Sequence, residues 1–167
     1  MTNLLHQRRR SKASLTDDYE TPNELYDQLC NKYKVYPTID VCANAQNTKC
    51  IYYIDEEMNA LETEWNIGKV RDGVTLTLLD TEAVWCNPPY SLTGDFVKCA
   101  YEQHLKHNLT IMMLIPTNTM SSAYWHEYIE GKAEYHPIKG RIRFLLNGKP
   151  TPFASRNANV LVIWRKK

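Results

Sequence analysis

The residues best suited to chemistry are Asn87, Pro88, Pro89 and Tyr90, which stand together as Asn-Pro-Pro-Tyr. They directly follow a short apolar segment, 83–86 (AVWC), which we predict to be a β-strand. Ligands of open α/β sheets bind beyond the carboxyl ends of the strands, where this motif falls. A polyproline turn that simply ends a strand is the alternative. The apolar strand before the motif and the aromatic residue at its end favour a functional loop.

Such a loop suits methyl transfer to a planar exocyclic amine, whose lone pair is delocalised into a ring and is a poor nucleophile. The side-chain carbonyl of Asn87 and a neighbouring backbone carbonyl can each accept one N–H while the amine becomes tetrahedral. The prolines fix φ and remove competing N–H donors, which holds both acceptors in place beforehand. Tyr90 offers a face for stacking. Because a base inside a duplex cannot reach this pocket, base flipping is implied.

The composition is that of an ordinary globular protein. The chain has 167 residues, of which 43% are hydrophobic and 23% charged, so disordered and fibrous classes are excluded. No apolar run approaches the roughly 18 residues of a membrane helix, and the first residues contain no signal-peptide core. We therefore expect a protein of the cytoplasm, which would be the host cytoplasm if the source is viral.

The net charge of +1 conceals an uneven distribution of charge along the chain. Residues 131–167 contain nine Lys or Arg and a single acid, Glu134. The first twelve residues add four bases and no acid: Arg8, Arg9, Arg10 and Lys12. The stretch between is acidic. This asymmetry predicts a catalytic body whose rim faces a polyanion, with solvated tails as the alternative.

Neither a metal site nor a disulfide framework is expected. The five cysteines include no C-x-x-C pair, which favours reduced thiols. His104 and His107 form an H-x-x-H pair, but their Gln and Lys neighbours indicate an exposed helix face rather than a pair of ligands.

The pattern along the chain predicts an α/β fold. We expect helices after Thr21-Pro22 (to residue 33), over 93–107 and over 121–129. We expect strands over 38–43, 50–54, 74–79, 83–86, 109–115, 142–146 and 159–164, with a loop or hairpin at 65–73. Alternating strands and helices imply a mostly parallel sheet, and the last two strands imply an antiparallel edge. A flexible basic arm is expected over 1–15 and a single domain over 16–167.

The sequence resembles the phage-type DNA N6-adenine methyltransferases (Dam-like), a family of AdoMet-dependent amino-methyltransferases. The resemblance extends from about Asp18 to Trp164. Its blocks, in chain order, are DYETPNELYDQL, TIDVCANAQNTKC, NALETEW, VWCNPPYS, IMMLIPTNT and GRIRFLL with a final apolar strand. The NPPY block is specific to amino-methylation, and the order of the others strengthens the match. The resemblance implies a Rossmann-like class I methyltransferase sandwich of three layers, with an antiparallel C-terminal strand.

The resemblance also implies S-adenosyl-L-methionine (AdoMet) as cofactor and assigns residues to it. Tyr19, Thr21 and Pro22 correspond to the segment over the methionine end, although Thr21-Pro22 is also a helix start. Asp40, Val41 and Cys42 correspond to the first cofactor loop, with a core-strand residue or a helix N-cap as the alternatives for Asp40. Asn59 and Leu61 correspond to the adenine-lining segment, and Asp55 or Glu56 to the ribose site unless they are merely solvated. No G-x-G follows Asp40, unlike in the wider superfamily.

The implied activity is methyl transfer to the N6 atom of adenine in DNA, with Asn87, Pro88, Pro89 and Tyr90 as the catalytic set. Cytosine N4, an RNA adenine and a protein glutamine amide are alternative acceptors, and an idle nucleic-acid-binding domain is an alternative class. The expected phosphate contacts are Arg8, Arg9, Arg10, Lys139, Arg141, Arg143 and Arg156. Sequence preference would come from loops 66–73 and 147–159, or from a second subunit in a homodimer.

Overall fold

The computed structural model describes residues 15–167, and side chains from Asp17 onward. The expected arm over 1–15 therefore lies outside the described residues except for its last residue, and so do Arg8, Arg9 and Arg10. The described chain begins with a single 3-10 turn, Leu15–Asp18.

Three helices follow, close to their predicted positions. Helix α1 spans Asn23–Tyr33 directly after Pro22 and ends at Lys34, which adopts a left-handed conformation (φ 56°). Helix α2 spans Thr93–His107, as predicted, and ends at a left-handed Asn108. Helix α3 is shorter than predicted and spans Ala123–Tyr128, because residues Thr117–Ser121 form a 3-10 turn instead.

Within residues 15–167, ten strands form one large sheet and one small hairpin. They are β1 (Ile39–Asp40), β2 (Tyr52–Tyr53), β3 (Ile67–Lys69), β4 (Thr75–Thr77), β5 (Ala83–Cys86), β6 (Thr110–Pro116), β7 (Glu134–Pro137), β8 (Leu145–Leu146), β9 (Lys149–Pro150) and β10 (Asn159–Trp164). The large sheet has the order β4-β3-β2-β1-β5-β6-β10-β7. Strands β2, β1, β5 and β6 are parallel, and β10 is antiparallel to both of its neighbours. This mixed α/β architecture is compatible with a Rossmann-like fold.

The predicted pairing of the last two strands at a sheet edge is wrong. Strand β10 lies inside the sheet, between β6 and β7, and all six of its residues are buried. A strand so completely apolar needs partners on both sides, and β7 supplies the second. The segment expected at 142–146 instead forms the separate hairpin β8–β9, which turns at Asn147 and Gly148, both at positive φ.

The sheet is buried on both faces by helices. Alternate residues of the central strands point to opposite faces and divide the core in two. One core joins α2 and α3 to Val84, Ile111, Met113 and Val162. The other joins α1 to Trp85, Met112, Leu114 and Leu161. Because both faces are covered, β6 and β10 read as continuous apolar runs in the sequence.

One face of the end of α2 is covered: His104 is buried and His107 partly so, while Leu105 and Lys106 are exposed. This contradicts the exposed face expected for the two histidines. His104 is 6% exposed, and its Nδ1 lies 2.7 Å from the carbonyl oxygen of Leu109. Gln103 accepts a hydrogen bond from the backbone amide of Trp65, and His107 lies 2.7 Å from a carboxylate oxygen of Glu64. The loop around Glu64 covers this end of the helix, so the histidines serve the fold.

Two further features concern only the part of the chain that the structure describes. From residue 15 to residue 167, no group of three or more His, Cys, Asp or Glu side chains is placed to hold a metal ion. Among the same residues, no helix has both the length and the apolar character needed to cross a membrane.

The charges around Glu64 predict a pH-dependent contribution to stability. Hydrogen bonds from Lys106, His107 and Gln103 lower the pKa of Glu64 from 4.5 to about 2. The stabilisation is therefore complete above pH 4.5 and is lost as the pH falls towards 2. We expect E64Q to lower the free energy of unfolding by about 1 kcal/mol or less at pH 7, since the carboxylate is partly exposed. Urea denaturation should show a smaller difference at pH 3, and E62Q, an exposed change in the same loop, is the control.

Candidate active site

The carboxyl ends of the parallel strands meet at one edge of the sheet and place the candidate residues there. In sheet order, β5 lies between β1, which leads into loop 41–49, and β6, which ends at Pro116. Asn87 follows β5 directly. The antiparallel β10 brings its first residue, Asn159, to the same edge, opposite Pro116. Asn87 thus stands between the predicted cofactor loop on one side and the end of β6 on the other.

The side chain of Asn87 is held with its carbonyl oxygen free. Its Nδ2 donates a hydrogen bond to the backbone carbonyl of Tyr19 at 3.0 Å. Since that carbonyl can only accept, it fixes which way the amide faces. The Oδ1 atom of Asn87 is buried and has no hydrogen-bond partner among the described residues. A buried unpaired acceptor costs roughly 1–3 kcal/mol, so its presence at this edge indicates a place for a donor from a ligand.

The rest of the motif is fixed on both sides. Pro88 is buried, and Pro89 (φ −54°) leads into the 3-10 turn Tyr90–Leu92, which continues into α2. The hydroxyl of Thr93 donates to the carbonyl of Tyr90 at 2.9 Å. The amide and hydroxyl of Ser91 donate to the carboxylate of Asp17 at 2.9 and 2.6 Å. The loop is thereby held by a strand, a helix and the segment 17–21. These contacts make the loop rigid without a bound ligand.

The ring of Tyr90 is positioned by two contacts from distant parts of the chain. Its edge meets Phe144 at a centroid distance of 6.1 Å, and Phe144 stacks on Tyr19 at 5.6 Å. Its hydroxyl accepts a hydrogen bond from Nδ2 of Asn159 at 3.1 Å. Burial raises the pKa of Tyr90 to about 12, so the phenol stays protonated and cannot act as a base near neutral pH. The ring is suited to stacking.

Asn159 is a candidate residue that the sequence did not reveal. It is fully buried, and its Oδ1, like that of Asn87, has no partner among the described residues. The one available signal was a polar residue at the start of the apolar strand β10. Its contact with Tyr90, 69 positions away, could not be read from that signal.

A cavity of about 630 Å³ opens beside the motif. Its walls are the rings of Tyr19 and Tyr90, Pro116 at the end of β6, Tyr124 of α3 and the loop 151–157. Tyr19 accepts the hydrogen bond of the Asn87 side chain, and Tyr90 is the last residue of the motif. The cavity therefore adjoins the motif through Tyr90, and Asn87 lies behind its lining.

On the other side of Asn87, Asp40 organises the predicted cofactor loop. Its carboxylate is buried and accepts hydrogen bonds from the backbone amides of Cys42 at 3.2 Å and Lys49 at 3.0 Å. Burial raises its pKa to about 6, and these two amides counteract the rise. No helix begins at Asp40, so it is not an N-cap. Its carboxylate fixes the conformation of the turn through Val41 and Cys42.

Thr21 and the start of α1 leave polar groups without partners near this loop. The Oγ1 atom of Thr21 is buried and unpaired within the described chain. Pro22 precedes α1, and no side chain caps the first amides of the helix. Lys49 reaches the same place, with its Nζ 2.7 Å from Oδ1 of Asn23. Unpaired helix amides beside a cation are suited to a carboxylate, so the helix start and a binding role coexist.

The predicted adenine and ribose residues lie in the turn after β2. Asp55 is not a merely solvated acid, because it accepts from the amide of Met58 at 2.9 Å and pairs with Lys69 at 2.7 Å. Asn59 has a positive φ of 61°, and its side chain accepts a hydrogen bond from the amide of Leu61 at 3.1 Å. The turn is thus well ordered at the carboxyl end of β2.

Two of the arginines expected to bind phosphates donate hydrogen bonds to the loop 151–157, the cavity loop. Arg143 donates to the carbonyls of Thr151 at 2.8 Å and Pro152 at 3.1 Å, and Arg141 donates to Ser155 at 3.4 Å. Arg156 is exposed and lines the cavity. Lys139 is exposed on the segment that follows β7. Arg141, Arg143 and Arg156 therefore place positive charge on or beside the cavity loop.

An α/β sheet that presents a rigid Asn-Pro-Pro-Tyr loop at the end of a central parallel strand is the arrangement expected of an amino-methyltransferase. Comparison with known families gives the more specific assignment. Residues 8–167 match the family described as DNA N-6-adenine-methyltransferase (Dam). The chain belongs to this family, which confirms the resemblance found in its sequence.

Two phage proteins are among its relatives. A DNA N-6-adenine-methyltransferase of Escherichia phage T1 is 34% identical over 131 residues, which are 75% of this chain and 48% of that protein. A DNA N-6-adenine-methyltransferase of Haemophilus phage HP1 (strain HP1c1) is 29% identical over 139 residues, 82% of this chain and 71% of that protein. The chain therefore spans about half the length of the first relative and about seven-tenths of the second.

Proposed function

We propose that this chain is an AdoMet-dependent DNA methyltransferase that transfers a methyl group to the N6 atom of a flipped-out adenine. The observation that carries the proposal is the buried, unpaired Oδ1 of Asn87 in a motif whose last residue, Tyr90, lines a cavity of about 630 Å³. The family match and the names of both phage relatives support the choice of adenine in DNA. Their phage origin favours the cytoplasm of an infected cell as the place of action.

The residues present fit the proposed cofactor. The unpaired hydroxyl of Thr21 and the uncapped start of α1 after Pro22 would hold its methionine end, next to the segment that contains Tyr19. The loop through Asp40, Val41 and Cys42 would pass beneath it. The turn that contains Asp55, Asn59 and Leu61 would hold the ribose and the adenine ring. When bound, AdoMet supplies a methyl group that its sulfonium centre has already activated.

The chain's own contribution to catalysis is to position the acceptor. Oδ1 of Asn87 accepts one hydrogen of the adenine amine, and a neighbouring backbone carbonyl accepts the other. These two hydrogen bonds draw the lone pair of the nitrogen out of conjugation with the ring. Tyr90 stacks on the base and keeps its edge facing Asn87. Because the prolines and Asp17 hold the loop rigid, little reorganisation is needed when the methyl group is transferred.

The proposed fold class is the Rossmann-like class I methyltransferase sandwich, formed by a single domain over 16–167. Two features support it: helices cover both faces of the sheet, and the antiparallel β10 lies between β6 and the parallel edge strand β7.

Incubation with labelled AdoMet and unmethylated DNA tests the proposal. We expect label in DNA, and nucleoside analysis by mass spectrometry should identify N6-methyladenine. Label in N4-methylcytosine or in RNA would show that the acceptor is a different amine, and the proposed methyl-transfer chemistry would still hold. Absence of transfer to any nucleic acid would overturn the proposal, and calorimetric titration with AdoMet would then separate an idle binding domain from a methyltransferase for another acceptor.

The positive rim makes a separate prediction for DNA affinity. Replacing the exposed Arg156 by alanine should weaken DNA binding and reduce the slope of log K against log salt by about 1, because one phosphate contact is lost. Fluorescence anisotropy at several salt concentrations measures the slope. K98A, which removes an exposed charge from α2, is the matched control and should leave the slope unchanged. An unchanged slope for R156A would show that Arg156 does not contact a phosphate.

A further inference from the structure

Phe153 is an exposed aromatic residue at the mouth of the cavity. Its side chain is 84% exposed, and it belongs to the loop 151–157 that forms one wall of the cavity. An apolar ring in water is unfavourable, and the chain has a large buried core in which such a ring could pack. Its exposure next to Tyr90 therefore needs an explanation.

The loop holds this ring outward by a set of specific hydrogen bonds. The hydroxyl of Thr151 lies 3.0 Å from the carbonyls of both Phe144 and Phe153. The guanidinium of Arg143 binds the carbonyls of Thr151 and Pro152. The amide of Ser155 donates to the carbonyl of Ile142 at 2.8 Å. Because these hydrogen bonds fix the backbone on both sides of Phe153, its ring is held in an exposed position.

The surroundings of Phe153 favour a polyanion as its partner. No Asp or Glu occurs after Glu134 in the sequence, whereas Arg141, Arg143 and Arg156 lie on or beside the loop. A protein partner that covered the ring would have to match the positive charge of these three arginines. A DNA duplex matches it with phosphates, and its stacked interior offers a place for an aromatic ring.

The geometry points to Phe153 as a wedge that enters the duplex and occupies the stack position vacated by the flipped adenine. This inference rests on the proposed function. When the target base moves into the cavity beside Tyr90, its former neighbours lose their stacking partner. A ring at the cavity mouth is within reach of that gap. By stacking there it compensates for the lost contact and slows the return of the base.

The test compares F153A with wild type on two duplexes of the same sequence. Sequencing of methylated DNA first identifies the target site, and an oligonucleotide duplex is built around it. In one duplex the target adenine is paired with thymine, and in the other it faces an abasic site. We expect F153A to lower the single-turnover rate about 10- to 100-fold on the paired duplex. On the abasic duplex, where the base leaves the stack more easily, the rate should stay within about threefold of wild type.

Four controls separate a wedge from a structural residue. L79A removes another exposed side chain (91% exposed), just after strand β4 at the opposite edge of the sheet, and should leave both rates unchanged. F153W keeps an aromatic ring and should restore the rate on the paired duplex. With 2-aminopurine at the target position, binding of wild type should raise the fluorescence strongly, and binding of F153A should raise it much less. The AdoMet affinity of F153A should equal that of wild type.

Three results would overturn the inference. Equal rates for F153A and wild type on the paired duplex would show that the ring does not assist flipping. An equal loss on both duplexes would assign it to general DNA contact. Dissociation of a dimer by F153A in size-exclusion chromatography, with equal losses on both duplexes, would make the ring a protein contact. Absence of methylation by wild type itself would instead refute the proposed function, and this inference with it.

Discussion

Replacing Asn87 by alanine should lower the rate of methyl transfer by at least about 100- to 1,000-fold, the effect of removing one positioned hydrogen-bond partner from a transition state. The unpaired Oδ1 is the proposed acceptor for the amine hydrogen, and alanine has none. The affinity for AdoMet should change little, because the residues proposed to hold the cofactor are Thr21 and the loop after Asp40. Single-turnover transfer of labelled methyl groups measures the first effect and calorimetry the second.

N87A also removes the hydrogen bond from Nδ2 to the carbonyl of Tyr19, so its thermal stability must be compared with that of wild type. The matched control is N31A, which removes an exposed asparagine from α1 and should keep full activity. Transfer by a folded N87A at more than a tenth of the wild-type rate would show that Oδ1 is not the catalytic acceptor.

The motif and its position could be predicted because both depend on local pattern. The apolar run 83–86 defines a buried strand by its length, and two successive prolines cannot continue one. The same reasoning placed α1 after Pro22 and α2 over Thr93–His107. A β-strand that ends at a fixed residue directs the following side chain to the sheet edge, so the location of Asn87 followed from sequence alone.

The partners of these residues could not be predicted, because they depend on contacts between distant segments. Nothing local indicates that Tyr19 fixes the amide of Asn87, 68 positions later, or that Phe144 packs between Tyr19 and Tyr90. The basic run after Glu134 indicated phosphate contacts. Two of its arginines turn out to hold a loop, since the N–H donors of a guanidinium can bind backbone carbonyls as well as phosphates.

The errors in the fold have the same origin. Strand β7 is polar and ends in proline, so no periodicity revealed it, and its place in the sheet depends on its pairing with the apolar β10. The Gln and Lys neighbours of His104 indicated solvent exposure. The loop around Glu64 covers that end of α2 through three side-chain hydrogen bonds, which are visible only in the folded chain.

Replacing Tyr90 by alanine should lower the rate of methyl transfer about 10- to 100-fold, because base stacking on an aromatic ring contributes roughly 1–3 kcal/mol. Y90F keeps the ring and loses only the hydroxyl that accepts from Asn159, so it should lose less than about tenfold. N159A removes the donor of the same hydrogen bond and should have an effect of similar size. Single-turnover rates on a duplex that contains the target site give these values, and calorimetry should show unchanged AdoMet affinity.

The double variant Y90F/N159A decides whether Asn159 acts through Tyr90. If the amide serves to orient the ring, the second substitution removes nothing further, and the double variant should be no slower than the slower single variant. Additive losses would instead indicate an independent role for Asn159, such as direct use of its own unpaired Oδ1. Loss of thermal stability with no change in rate would make Asn159 a residue of the fold alone. Equal rates for Y90A and Y90F would show that the ring does not stack on the base, and the cavity beside it would lose its assignment as the adenine pocket.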